Sequence, residues 1–229
     1  MADITVTDLD PKTLAAYFDH TLLKAQAPHA DYEKLCREAV QYGFASVMVH
    51  PAMAAFCKKQ LGNSGITVGT VAGFPLGMNT PEIKYLEALN AIDAGAGEID
   101  YVINITELKE KNYSYIQDEM ARIVEACHNR RVITKVIFEN CYLNDDEKKE
   151  LCRIARTVGI DFIKTSTGFG SGGAAVEDVK LMKSLAGDKV KVKAAGGIRD
   201  LKTTLAMINA GASRIGASAG AAIIQELVG

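Results

Sequence analysis

Gly159-Ile160-Asp161-Phe162-Ile163-Lys164 decides the fold of this chain: a glycine closes a helical pattern, and a short apolar run begins at once and ends on lysine. Glycine stops helices because it enters the left-handed conformation without a Cβ clash. The same junction recurs at Gly43-Phe44-Ala45-Ser46-Val47-Met48-Val49, Gly95-Ala96-Gly97-Glu98-Ile99-Asp100-Tyr101-Val102 and Gly211-Ala212-Ser213-Arg214-Ile215-Gly216. Connections this short are what repeating βα units use between a helix and the next strand.

Working outward from these junctions, strand patterns rich in Val and Ile cover 17–22, 46–50, 67–72, 98–104, 132–138, 161–164, 190–194 and 213–215. Helical patterns separate them, and several starts are legible. Thr80-Pro81-Glu82 offers an N-cap, a proline at the first helical position and an acid in the first turn. Asn144-Asp145-Asp146-Glu147 and Asp200 open two more, and residues 28–42 and 113–128 read as amphipathic helices. Eight strands alternating with helices predict a parallel sheet with right-handed crossovers. In a chain of 229 residues this is an α/β fold of the (β/α)8 TIM-barrel type, here with a short N-terminal helix. No linker or low-complexity stretch divides it, so one domain over residues 1–229 is expected.

Composition excludes several classes. A formal net charge of -2, 7% aromatic residues and no tryptophan argue against nucleic-acid binding. No stretch of about 18 uncharged apolar residues predicts a membrane span. The five cysteines are odd in number and lack a Cys-x-x-Cys pair, and the four histidines form no His-Glu-x-x-His motif. Neither a disulfide framework nor a metal site is expected. The first residues, Met1-Ala2-Asp3-Ile4, carry no basic-then-apolar signal, and a cytoplasmic location is the expectation.

The candidate chemistry lies at strand ends, where catalytic groups of such barrels project. Lys164 ends the sixth strand pattern, Lys193 the seventh, and Asp100 interrupts the fourth. Burying lysine or aspartate is costly unless the group is paired or used. A lysine among apolar neighbours and beside a second cation loses its proton more readily and becomes a nucleophile. Schiff-base chemistry is the reading these residues suggest; a buried ion-pair network that merely fills the barrel is the plain alternative.

Glycine clusters follow the last three strand patterns: Gly168, Gly170, Gly172 and Gly173; then Gly196 and Gly197; then Gly216, Ser218 and Gly220. Backbone N–H groups in such turns and at helix N-termini bind anions, and the last two clusters predict a phosphate site. Residues 168–173 also match G-x-G-x-x-G, but they sit late in the chain behind a lysine-tipped strand, unlike a dinucleotide fingerprint. Residues 211–218 have Walker-like spacing with Ala217 in place of the required lysine, so no P-loop is expected.

The segments TVAGFPLG, EIDYVINI, FIKTSTGFG, KAAGGIRD and RIGASAG resemble those of the deoxyribose-phosphate aldolase family of class I aldolases. The resemblance runs from Asp19-His20-Thr21 to Gly220. It implies that Lys164 forms the Schiff base, that Asp100 relays protons and that Lys193 tunes the nucleophile. It implies substrate contacts from Asp19, Thr21, Thr167 and Gly168, and a phosphate site at Gly196, Gly197, Gly216 and Ser218. The implied reaction is reversible cleavage of 2-deoxyribose 5-phosphate to glyceraldehyde 3-phosphate and acetaldehyde, without metal or cofactor. Three positions depart from the family pattern. Met48 stands where many members have cysteine, Phe169 where some have lysine, and the sequence stops at Gly229 without a C-terminal tyrosine tail. Two other readings stay open on the residues alone: another phosphosugar barrel enzyme, transaldolase-like or epimerase-like, and a non-catalytic barrel that binds a phosphorylated metabolite. A homo-oligomer is also left open.

Overall fold

The computed structural model describes Thr5 and residues 9–229. Strands and helices alternate in the order the junctions predict: β1 (Phe18–Leu22), α2 (His29–Tyr42), β2 (Ser46–Val49), α3 (Ala54–Leu61), β3 (Thr67–Ala72), α4 (Pro81–Asp93) and β4 (Glu98–Val102). They continue through α5 (Ile105–Lys109), α6 (Tyr113–His128), β5 (Ile133–Ile137), α7 (Asp145–Val158), β6 (Phe162–Lys164), α8 (Val176–Ala186), β7 (Lys191–Ala195), α9 (Leu201–Asn209), β8 (Arg214–Ala217) and α10 (Gly220–Val228). A short helix α1 (Pro11–Ala15) precedes the barrel, capped by the Asp10 carboxylate. It buries Leu14 and Ala15 and packs against α10.

The local signals act as expected. Thr80 caps α4 with Pro81 at its first position. Asn144 and Glu147 form a reciprocal capping box at α7, which ends on Gly159 at φ 80°. Each strand pairs in parallel with the next, and β8 pairs with β1 through Phe18–Ile215 and Asp19–Gly216, closing the barrel.

Alternation along the strands divides two interiors. Phe18, Val47, Ile99, Tyr101, Val136, Ile163 and Ile215 face outward into the core shared with the helices. Their neighbours Asp19, Glu98, Asp100, Lys135, Lys164, Lys193 and Arg214 turn inward and meet one another. Barrels usually fill this space with branched aliphatics; here charge fills it. Strand register sets the partners: Asp100 lies opposite Lys135, and Lys164 opposite Lys193. A small apolar cluster of Leu23, Met48, Val71 and Phe74 occupies the β1–β3 side.

Candidate active site

Three lysines converge on one carboxylate. Lys164 Nζ donates to Asp100 Oδ2 at 2.9 Å, and Lys193 Nζ donates to the same oxygen at 2.8 Å. Lys135 Nζ donates to Asp100 Oδ1 at 2.8 Å and to Glu98 Oε2 at 2.5 Å, and lies 3.6 Å from Asp19 Oδ2. Lys193 also ion-pairs with Asp19. Arg214 donates to Asp19 at 2.6 Å and to Glu98 at 3.3 Å, and the Ser46 hydroxyl adds a bond to Asp19. The carboxylates of Asp19, Glu98 and Asp100 therefore meet the basic groups of Lys135, Lys164, Lys193 and Arg214. The bases outnumber the acids by one, and an uncompensated charge in such a site is expensive. Loss of a single proton balances it.

The environment points to the group that gives up that proton. Burial pushes the Lys164 amine down; Asp100 opposes this, Lys193 and Lys135 push further down, and the result is about 8. Burial also disfavours the charged form of Lys135, but Asp100, Glu98 and Asp19 outweigh it and hold that amine above its usual range. Arg214 is likewise held up against burial by Asp19 and Glu98. Burial works to raise the Asp100 carboxyl, and Lys135, Lys164 and Lys193 together hold it well below the usual range. With a value near 8, roughly one Lys164 amine in ten is neutral at pH 7, against fewer than one in a thousand for an ordinary lysine. Burial is the largest influence, and repulsion by Lys193, the influence the sequence suggested, adds to it.

A cavity of about 390 Å³ opens at the C-terminal ends of the strands, with Lys164 in its wall. Thr21 reaches it from β1, Thr167 and Gly168 from the turn after β6, Gly196 and Gly197 from the turn after β7, and Gly216 and Ser218 from the end of β8. Asp100, Lys193 and Asp19 do not line it. Asp19 is wholly buried, its carboxylate taken up by Lys193, Arg214 and Ser46. Gly196 and Gly197 adopt φ of 89° and 79°, open to glycine at little cost. At Gly216 a Cβ would stand 3.1 Å from Lys193 Cε and 2.9 Å from Ala195 Cβ, so the bare backbone leaves Lys193 its path. Lys24 and Arg199 add cations to the wall, while Leu22, Leu23, Phe169 and Ile198 make it partly apolar. Among the described residues no group of three or more His, Cys, Asp or Glu side chains is arranged to hold a metal ion, and no helix is long and apolar enough to cross a membrane.

The sequence reading passed over Lys135, Glu98 and Arg214. The signal was present, since Lys135 interrupts the apolar run Ile133-Thr134-Lys135-Val136-Ile137 as Asp100 interrupts its own. Its partnership with Asp100 depends on cross-strand register, which no single strand reveals.

The model of the DeoC/LacD family aldolases matches residues 13–226. The chain belongs to this family. This aldolase is 57% identical over 213 residues to the deoxyribose-phosphate aldolase of Lactobacillus acidophilus, covering 93% of this chain and 90% of that protein. It is 49% identical to the deoxyribose-phosphate aldolase of Caldanaerobacter subterraneus subsp. tengcongensis, covering 93% of each. Among solved structures, a putative deoxyribose-phosphate aldolase from Coccidioides immitis superposes with a TM-score of 0.92 at 36% identity, over 95% of this chain and 87% of that one. The Aeropyrum pernix deoxyribose phosphate aldolase, described as a unique tetrameric structure, gives 0.90 at 31% identity, over 96% and 92%.

Proposed function

We propose that this aldolase cleaves 2-deoxy-D-ribose 5-phosphate reversibly into D-glyceraldehyde 3-phosphate and acetaldehyde through a Schiff base on Lys164. The observation that carries the reading is a single lysine, pushed to about 8, standing in the wall of the cavity and 2.9 Å from a buried carboxylate. The relatives at 57% and 49% identity bear the name of this activity.

Neutral Lys164 attacks the C1 carbonyl of the open-chain sugar and gives a carbinolamine. Loss of water yields an iminium, which draws electrons from the C2–C3 bond as the C3 hydroxyl loses its proton. Glyceraldehyde 3-phosphate leaves. The remaining enamine is protonated at its terminal carbon, and hydrolysis releases acetaldehyde and the free amine. Asp100 is held ionised at rest by its three lysines, so it is free to accept the proton the C3 hydroxyl loses and to return it at the next step, through a bridging water because it does not line the cavity. Lys193, bonded to the same Asp100 oxygen as Lys164, supplies the charge that favours the neutral amine. The turns at Gly196–Gly197 and Gly216–Ser218 line the cavity together with Lys24 and Arg199, and their backbone N–H groups and cations support assigning the phosphate to them.

The test is release of acetaldehyde from deoxyribose 5-phosphate, followed by coupled reduction of the aldehyde. Release that disappears in Lys164→Met supports the reading; no release by the unmodified chain contradicts it. Formation of an enamine from acetaldehyde separates this enzyme from a transaldolase-like or epimerase-like one.

The five cysteines are free thiols, which suits the reducing cytoplasm we assign to the protein. We also assign it a homo-oligomeric state, by likeness to the tetrameric Aeropyrum pernix protein. Exposed Leu76, Met78, Ile83 and Leu86 give the surface around α4 apolar area for such contacts. Sedimentation equilibrium at the mass of one chain would remove this assignment.

A further inference from the structure

Glu139 stands just beyond β5, in a left-handed conformation with φ 57° and a relative exposure of 2%. Among the described residues two other non-glycine residues share that backbone region, Lys111 and Arg131, and both are exposed. A glutamate held there in the interior needs neighbours that fix it. Apart from Cys141 Sγ, 4.0 Å from Oε1, the partners of its carboxylate belong to the turn that follows Lys164. The Glu139 carboxylate accepts from the Thr167 N–H at 3.1 Å through Oε1, and from the Thr167 hydroxyl through Oε2. Thr167 Oγ1 in turn accepts from the Phe169 N–H at 3.0 Å. Backbone bonds from Phe138 N to Lys164 O and from Asn140 N to Thr165 O lace the same two segments together at 3.0 and 2.9 Å. The turn is thus tied at residues 164, 165, 167 and 169, and the Glu139 side chain makes the central tie.

Two further observations narrow its role. Among the described residues no cation pairs with Glu139, so its two oxygens are matched to donors rather than to a charge. The Thr167 hydroxyl has one proton, and Glu139 receives it. That hydroxyl therefore has no donor left for a ligand in the cavity that Thr167 and Gly168 line.

We propose that Glu139 is a positioning residue for the aldol reaction: it clasps the Thr167–Phe169 turn, and so sets the cavity wall beside Lys164. Thr167 serves the site as the other half of this clasp rather than as a hydroxyl donor to the sugar. The inference rests on the aldolase reading above.

The test compares Glu139→Ala, Glu139→Gln and Thr167→Val in the full chain, with kcat and KM for deoxyribose 5-phosphate and the thermal midpoint measured for each. Glu139→Ala removes both acceptors, and KM rises roughly tenfold or more because the wall is misplaced. Glu139→Gln accepts from the Thr167 N–H and donates to its hydroxyl oxygen, so it recovers most of that loss. Thr167→Val reproduces the Glu139→Ala rise in KM, and it decides the matter if Glu139→Ala does not fold. A Gln variant as impaired as the Ala variant shows that the charge acts, and overturns the clasp. An unchanged KM in Glu139→Ala or in Thr167→Val overturns it as well. Borohydride labelling of the unmodified chain runs alongside. Label present with KM indifferent to these changes contradicts the clasp alone; no label in the unmodified chain contradicts the aldolase reading and takes the clasp with it.

Discussion

Lys135 Nζ donates to Asp100 Oδ1 at 2.8 Å, through the carboxylate oxygen that Lys164 and Lys193 leave to it. With Glu98 at 2.5 Å and Asp19 at 3.6 Å, Lys135 is the cation that all three buried acids share. It does not line the cavity, so its work is to hold Asp100 ionised and in place.

Lys135→Met keeps much of the side-chain volume and removes the charge. Breaking a buried pair from one side costs about 3–5 kcal/mol, because the partner is left uncompensated. Urea unfolding should show a loss of that order, and the surviving folded protein should turn over slowly. Stability equal to that of the unmodified chain would mean that the acids find other partners, or take up protons without penalty.

Much of this arrangement is legible in the amino-acid sequence. The Gly-to-strand junctions locate strands because a left-handed C-cap followed by a β-branched run has few other readings, and all eight strands stand where the patterns place them. Lys164 is legible because it ends a short apolar strand, and Ser218 because it sits between glycines at the opening of a helix. What one strand cannot disclose is which side chains share a level of the barrel. That level joins Lys135 to Asp100 and draws Arg214 and Glu98 into the same network. Glu139 was harder still: a glutamate in a left-handed turn has no local signature, and its meaning comes from a threonine 28 residues away.

Lys193→Leu tests how Lys164 is tuned. Removing a cation favours the protonated amine, so the pH midpoint for imine formation should move up from about 8. Asp100, relieved of one partner, pulls in the same direction. Burial persists, so the midpoint should stop short of an ordinary lysine's. Activity then falls at pH 7 and partly returns as pH rises, while Lys193→Arg keeps the midpoint near that of the unmodified chain. Identical midpoints in Lys193→Leu and the unmodified chain would rule out an electrostatic role for Lys193.

Ser218→Glu tests the phosphate end of the cavity. A carboxylate beside Gly196, Gly197 and Gly216 repels a phosphate, and KM for deoxyribose 5-phosphate should rise about ten- to a hundredfold. Activity on unphosphorylated deoxyribose should fall far less. Equal losses on the two substrates would place the phosphate elsewhere.

The identity of the imine-forming lysine bears most directly on the whole account. Lys164 is the amine that burial and its neighbouring lysines depress while it still faces the cavity. Incubation with deoxyribose 5-phosphate, reduction with borohydride and peptide mapping by mass spectrometry should find a two-carbon adduct on the peptide carrying Lys164, forming faster as pH rises through about 8. An adduct on Lys135, Lys191 or Lys193, or no adduct at any pH, would contradict it.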